Sequence, residues 1–291
     1  MKSMKMELVG AMILGILLFG GKDTFAQAAQ GMQQPPAQGE KDKAPAPITT
    51  TPLTLDVAPP PVSAEEDAAM KAFRDAPLTD VGKKNQMGEA FVLKYPQSRY
   101  RVEVYSWLVK GYYGIGEVDK MEVAGEKELA IQPEDATTLA IMGQTLPRAI
   151  SASMPVADRG KRLDKSEQYS KKALELIPTL PKPAGLTDEQ FTAAKNQTSA
   201  MAYSGLGLVA FRRGKFNDAI PNLEQSVKLD PTPDPVNYYL LGISNEKASH
   251  FDDAIAAFTK CASFPGGLQP TCKSGIEEVK KLALTQLNVP R

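Results

Sequence analysis

The sequence predicts an all-α fold built from repeated helix pairs. Three observations carry that expectation. Apolar residues recur at spacings of three and four, as in Phe216, Ile220, Leu223 and Val227, which puts them on one face of a helix. No alternating run of β-branched residues follows residue 63. A set of small and aromatic positions returns after 35 residues: Tyr203, Leu206, Gly207, Phe216 and Ala219, then Tyr238, Leu241, Gly242, Phe251 and Ala254. Gly207 to Ala219 and Gly242 to Ala254 both span 12 residues. Small residues at those points let one helix of a hairpin lie close to its partner, while Leu and aromatic side chains fill the space beside them.

The elements follow in chain order. Lys2 and Lys5 precede an apolar run from Leu8 to Phe19, 12 residues long. A membrane-spanning helix needs about 20 such residues, so this run reads as the core of a secretory signal. Thr24-Phe25-Ala26 and Ala26-Gln27-Ala28 both offer small residues before a cut, and residues 1–26 are expected to be removed on export. An uncleaved anchor is the alternative. No cysteine stands near the end of the run, which argues against a lipid anchor. Removal of Lys2, Lys5, Lys22, Glu7 and Asp23 leaves 31 basic and 32 acidic residues.

Residues 27–62 contain eight of the 23 prolines, five glutamines and no aromatic residue. Such a stretch cannot bury enough apolar surface to offset an ordering cost of about 1–2 kcal/mol per residue. It is expected to be a disordered, proline-extended tether.

Ser63-Ala-Glu-Glu66 then reads as a helix-starting capping box, and Thr187-Asp-Glu-Gln190 repeats the device. Helical periodicity covers 64–76 and 80–95. Tyr105, Leu108 and Tyr112 lead to Gly116 and Pro133 in one weaker unit, where Val109 stands in place of the glycine and Met121 in place of the alanine. Leu139, Met142 and Gly143 lead to Ala173 and Pro178 in another, with about 11 extra residues near Pro147 to Arg162 that are expected to lengthen the helices or their connection.

The pattern of Tyr203, Leu206-Gly207, Phe216, Ala219 and Pro231, repeated from Tyr238, resembles the tetratricopeptide repeat family. The best units are 200–233 and 235–267, and the resemblance extends over 63–291. Lys94-Tyr-Pro-Gln-Ser98 is similar to linkers between units of bacterial envelope members of that family. The resemblance implies a right-handed α-solenoid of about eleven helices whose concave groove is lined by the first helix of each pair. Thr271–Leu287 is expected to cap the array through Ile276, Val279, Leu282 and Leu284, since a last repeat otherwise leaves its inner face bare.

Composition limits the chemistry. Lys+Arg and Asp+Glu are equal at 34 each, which does not suit a nucleic-acid surface. With one His and two Cys, little is left for a zinc site or a Cys/His nucleophile, and no metal or cofactor is expected. Ser204-Gly-Leu-Gly-Leu-Val-Ala210 contains G-x-G-x-x-A, but inside a helical pattern rather than after a strand. Gly111 to Gly116 holds three glycines without a following Gly-Lys-Ser/Thr and reads as a helix end. His250 reads as a turn residue before Phe251. Glu65-Glu66, Asp252-Asp253 and Glu277-Glu278 are adjacent pairs, which do not face each other on a helix and read as solvated. Asn196-Gln-Thr198 is an N-glycosylation pattern placed awkwardly within a helix.

Export suggests an oxidising compartment. A Cys261–Cys272 bridge would pin the last helix, and two separate thiols are the alternative. Trp107 among Tyr105, Leu108, Tyr112 and Tyr113 reads as core, with Tyr113 as the edge able to reach the groove. The repeat register gives a groove set of Lys110, Tyr113, Arg148, Phe211, Arg212, Tyr239 and Lys247, a mixture suited to an extended peptide or an acidic tail. Thr137, Ala140 and Gln144 stand where chaperone-binding members carry a carboxylate clamp, which disfavours chaperone tails. The expected function is a non-catalytic scaffold in the periplasm or cell envelope. It would bind a protein or peptide, with no nucleic acid and no membrane span in the mature chain. A cell-wall carbohydrate-binding protein or an enzyme with an unrecognised site is the alternative, and a self-assembling structural protein is a third class.

Overall fold

The computed structural model describes residues 62–287. The expected signal (1–26) and the tether (27–62, except Val62) lie outside the described residues. Among the described residues the chain forms α1 (Ala64–Asp75), α2 (Val81–Lys94), α3 (Arg101–Ile115), α4 (Val118–Leu129), α5 (Ala136–Thr145), α6 (Val156–Leu176), α7 (Asp188–Arg212), α8 (Phe216–Leu229), α9 (Pro235–Lys247), α10 (Phe251–Ala262) and α11 (Gln269–Leu287). Consecutive helices pack as hairpins, α1/α2 through α9/α10, and α11 closes the end against α10. The result is an all-α solenoid of five pairs and a cap.

The helix boundaries follow local chemistry. At α1 the Ser63 hydroxyl accepts from the Glu66 amide at 3.1 Å. At α7 both arms of the box form, Thr187 Oγ1 with the Gln190 amide and Gln190 Oε1 with the Thr187 amide. Asp135 accepts from the Thr138 amide to cap α5 and Asp234 from the Val236 amide to cap α9, with Pro235 fitting the first turn. The turn between α7 and α8 places Gly214 at φ 72°, and the equivalent turn between α9 and α10 places Ser249 at φ 62°. A side chain in that left-handed conformation costs about 1–2 kcal/mol.

The repeat glycines are contact points. A Cβ on Gly207 would lie 2.7 Å from the Leu223 side chain, and one on Gly242 would lie 2.7 Å from the Phe258 ring. These are the same contact one unit apart, because Leu223 and Phe258 differ by the repeat length. The closest approach of such a Cβ to backbone joins two different pairs. A Cβ on Gly205 of α7 would sit 2.6 Å from the Gly143 carbonyl oxygen of α5. Ser166 Oγ donates to that same carbonyl at 2.6 Å, with Ala140, Ala173, Ala202 and Ser170 buried around it.

The extra segment between α5 and α6 takes both expected forms. It adds a connection at 146–155, and α6 grows to 21 residues. Leu146 and Ile150 are buried, and Ile150 packs with Leu163 and Val209. Charged residues of α6 bind both neighbours: Arg162 pairs with Glu122 of α4, and Asp164 with Arg213 beyond α7 at 2.6 Å. Trp107 is half-buried, and its Nε1 donates to Asn85 Oδ1 at 3.1 Å. The Lys84 ammonium lies 4.7 Å from the Trp107 ring centroid and donates to the Ala76 carbonyl at 3.0 Å. Burial holds that ammonium below the usual lysine range. No helix among the described residues is long and apolar enough to cross a membrane.

Candidate functional site

Of the seven residues expected to share one groove, five fall into three settings, and Phe211 and Arg212 lie outside them. The first is a set of polar contacts between helix pairs. Tyr113 Oη on α3 donates to Gln144 Oε1 on α5 at 2.9 Å. Burial raises the Tyr113 phenol above the usual tyrosine range, opposed by the nearby Arg148 charge. Arg148 follows α5 and donates to Asp234 Oδ2 at 2.7 Å and to Ser204 Oγ on α7 at 3.2 Å. Ser204 in turn donates to Asn237 Oδ1 at 2.8 Å, and Asn237 Nδ2 donates to Ser226 Oγ at 3.1 Å. Ser204, Ser226 and Asn237 are buried. Tyr113 and Arg148, both half-buried, therefore tie helices together.

The second setting is that of Lys110, which lies over the seam between α3, α4 and α5. Its Nζ donates to Ser106 Oγ at 3.2 Å, and its charge acts on Glu128. Glu128 is fully buried at the end of α4. Thr138 Oγ1 of α5 donates to its Oε2 at 2.7 Å. Burial first, and the Asp135 carboxylate second, push the Glu128 carboxyl up to about 7, against Thr138, Lys110 and Ser106. This shifted carboxyl lies inside a closed seam, out of reach of a substrate.

Phe211 is half-buried, edge-on to Phe216 at 5.6 Å between centroids, and packed on the α7/α8/α9 core. Arg212 is exposed one residue further on.

The third setting is an accessible cleft of about 600 Å³ between α9 and α11. The spacing of Tyr239, Ile243, Glu246 and Lys247 puts them on one face of α9, which forms one wall. Thr271, Ser274, Gly275 and Glu278 of α11 form the other, with Phe258 of α10 at the floor. Tyr239 stacks at a tilt on Phe258, 6.0 Å between centroids. A Cβ on Gly275 would meet the Phe258 ring at 3.0 Å, so the small residue lets α11 come close. Cys261 and Cys272 are bonded to each other, with Cα atoms 5.9 Å apart and both side chains buried. The bridge joins α10 to the first turn of the α11 wall.

Of the seven groove residues, then, the structure brings only Tyr239 and Lys247 together in an open cleft. Three of the four expected cations already face internal carboxylates: Arg148 faces Asp234, Lys247 faces Glu246 at 3.0 Å, and Lys110 faces Glu128. That undercuts an acidic tail as the ligand. Glu246 and Glu278, which the register reading passed over, stand on the two walls. Glu246 was legible as the residue one turn beyond Ile243, whereas α11 has no repeat register from which its inner face could be read. Among the described residues no group of three or more His, Cys, Asp or Glu side chains is placed to hold a metal ion.

Residues 200–233 match the tetratricopeptide repeat family. No curated protein matches the chain. Solved structures similar to it include a thermophilic TPR protein of Thermus thermophilus, at 17% identity and a TM-score of 0.43, covering 74% of this chain and 98% of that one. Another is PilW, described as a widely conserved type IV pilus biogenesis factor, at 17% identity and a TM-score of 0.45, covering 78% of this chain and 94% of that one.

Proposed function

We propose that this tetratricopeptide-repeat chain is an exported, non-catalytic scaffold that holds a peptide segment of a partner protein in the cleft between α9 and α11. The cleft carries the reading. Tyr239 and Lys247 are the two expected groove residues that line one open cleft together. Its lining mixes an apolar floor with a few polar groups, as a peptide site requires. The middle of the inner face is occupied by the Tyr113–Gln144 and Arg148–Asp234 contacts, which leaves this end as the docking point. The signal-like start supplies the address, and the proline-rich stretch supplies reach from whatever surface the partner occupies.

The test is affinity capture from a cell-envelope extract with three forms of the chain. Ser274→Trp fills the cleft from an exposed position on α11, and Arg212→Glu changes charge outside it. The expected result is a partner held by the wild type and by Arg212→Glu and lost by Ser274→Trp. A partner held equally by all three would move the interface to another face. N-terminal sequencing of the chain recovered from cells tests export, with Gln27 or Ala29 expected as the first residue in place of Met1. A chain still beginning at Met1 would refute cleavage.

A further inference from the structure

We propose that the cleft between α9 and α11 selects a basic side chain, lysine or arginine, flanked by apolar residues. This deepens the peptide-binding reading and rests on it. The charge of the lining is the first argument. Glu246 comes from one wall and Glu278 from the other, against a single ammonium, that of Lys247. Lys247 is on the same wall as Glu246 and is held to it at 3.0 Å. Glu278 accepts from Ser274 Oγ at 3.3 Å, a neutral donor that leaves its charge uncompensated. The cleft therefore has one carboxylate more than its own cation balances.

The floor is the second argument. Tyr239, Ile243 and Phe258 present an aromatic and aliphatic surface between those carboxylates. A lysine or arginine lays its methylene stem along such a surface while its charged end reaches the acids. The Tyr239 ring adds attraction for a cation above its face. A glutamate side chain would find the same floor but would meet Glu246 and Glu278 with like charge, which is a penalty rather than a neutral substitution. A volume of about 600 Å³ accommodates one long side chain with its neighbours, not a folded domain.

The experiment uses the chain as purified from cells and four peptides, fluoresceinyl-Gly-Leu-X-Leu-Gly-amide with X as Lys, Arg, Gln or Glu and the dye on the N-terminus, read by fluorescence anisotropy. The Lys and Arg peptides are expected to bind about tenfold more tightly than the Gln peptide, with Glu weakest, and the gap is expected to narrow as salt rises. Glu246→Gln with Glu278→Gln should flatten the ranking. Lys247→Gln should tighten the Lys and Arg peptides further by removing the competing ammonium. Thermal melts of each variant separate these effects from unfolding. Equal or tighter binding of the Glu peptide, or a ranking unchanged in the double variant, would overturn the basic-residue preference while leaving the cleft as a binding site. No binding of any of the four would overturn it as well, and the Ser274→Trp capture result then decides independently whether the cleft binds a partner at all.

Discussion

Gly205 of α7 faces Gly143 of α5 so closely that a Cβ on the former would stand 2.6 Å from the carbonyl oxygen of the latter. The two glycines lie in different helix pairs, so this contact sets the distance between units, whereas Gly207 and Gly242 set distances within units. Close backbone approach leaves the α5/α7 seam dependent on small side chains on both sides.

The glycine contacts separate packing from helix propensity. Gly207→Leu is expected to destabilise the chain by about 1–3 kcal/mol or more, because Leu223 already fills the space. Gly160 lies on the exposed side of α6 with nothing within 4 Å, so Gly160→Ala is expected to stabilise by about 0.5–1 kcal/mol. Urea denaturation of both variants checks the pair. An unchanged Gly207→Leu chain would refute the assigned contact.

Glu128 imposes a pH dependence of definite sign. Its carboxyl titrates near 7 in the fold against an ordinary value of 4.5. The folded chain therefore binds the proton more tightly than the unfolded chain. The stabilising contribution is complete below about 4.5, falls as pH rises through the interval to about 7, and is flat above. The full loss is on the order of 3 kcal/mol. Denaturation at pH 5 and pH 8 should show this loss in the wild type relative to Glu128→Gln, which keeps an amide oxygen for Thr138. An identical pH slope in both proteins would contradict the assignment.

The Arg148–Asp234 pair is open to a double-mutant cycle. Arg148→Met removes the guanidinium, and Asp234→Asn keeps an N-cap for α9 while removing the charge. Both side chains are only about a quarter to a third exposed, at 31% and 26%. The coupling energy is expected to be about 1–3 kcal/mol in favour of the pair. Additive effects, measured by urea denaturation, would mean the two residues do not act together.

The disulfide is expected to stabilise the end of the array. A sequence separation of 11 closes a short loop, for which the chain-entropy relation gives about 2–3 kcal/mol. Cys261→Ala with Cys272→Ala should lower the melting temperature, and amide hydrogen exchange should show α11 losing protection before α7 to α9. Uniform loss along the whole chain would instead indicate that the bridge supports more than the cap.

Much of the architecture was legible because the repeat reports itself. Gly207 and Gly242 recur with their partners Leu223 and Phe258 at equal spacing, and a helix pair follows from each. Thr187 and Gln190 marked the start of α7 directly. The inner face was less legible, for a physical reason. Register shows which way Tyr113, Lys110 and Arg148 point, but not what stands opposite them. Arg148 meets Asp234 across 86 residues of chain, and no periodicity encodes that encounter. The Glu128 environment was equally hidden, since a Glu near the end of a helix ordinarily faces water. The α11 wall of the cleft was hidden because the cap is not a repeat.

Arg148 belongs to the third helix pair and Asp234 to the fifth, so their bond passes over the fourth. In arrays whose units touch only their neighbours, stability is close to a sum of unit and interface energies, and whole units can be added or lost. Here the bond adds a term between next-nearest units, and that term exists only at one separation. Deleting or duplicating the fourth pair would leave Arg148 and Asp234 at the wrong distance even if every glycine contact were preserved. The third to fifth pairs are thus expected to change as one indivisible block, with tolerance for gain or loss of repeats confined to the stretch before α5.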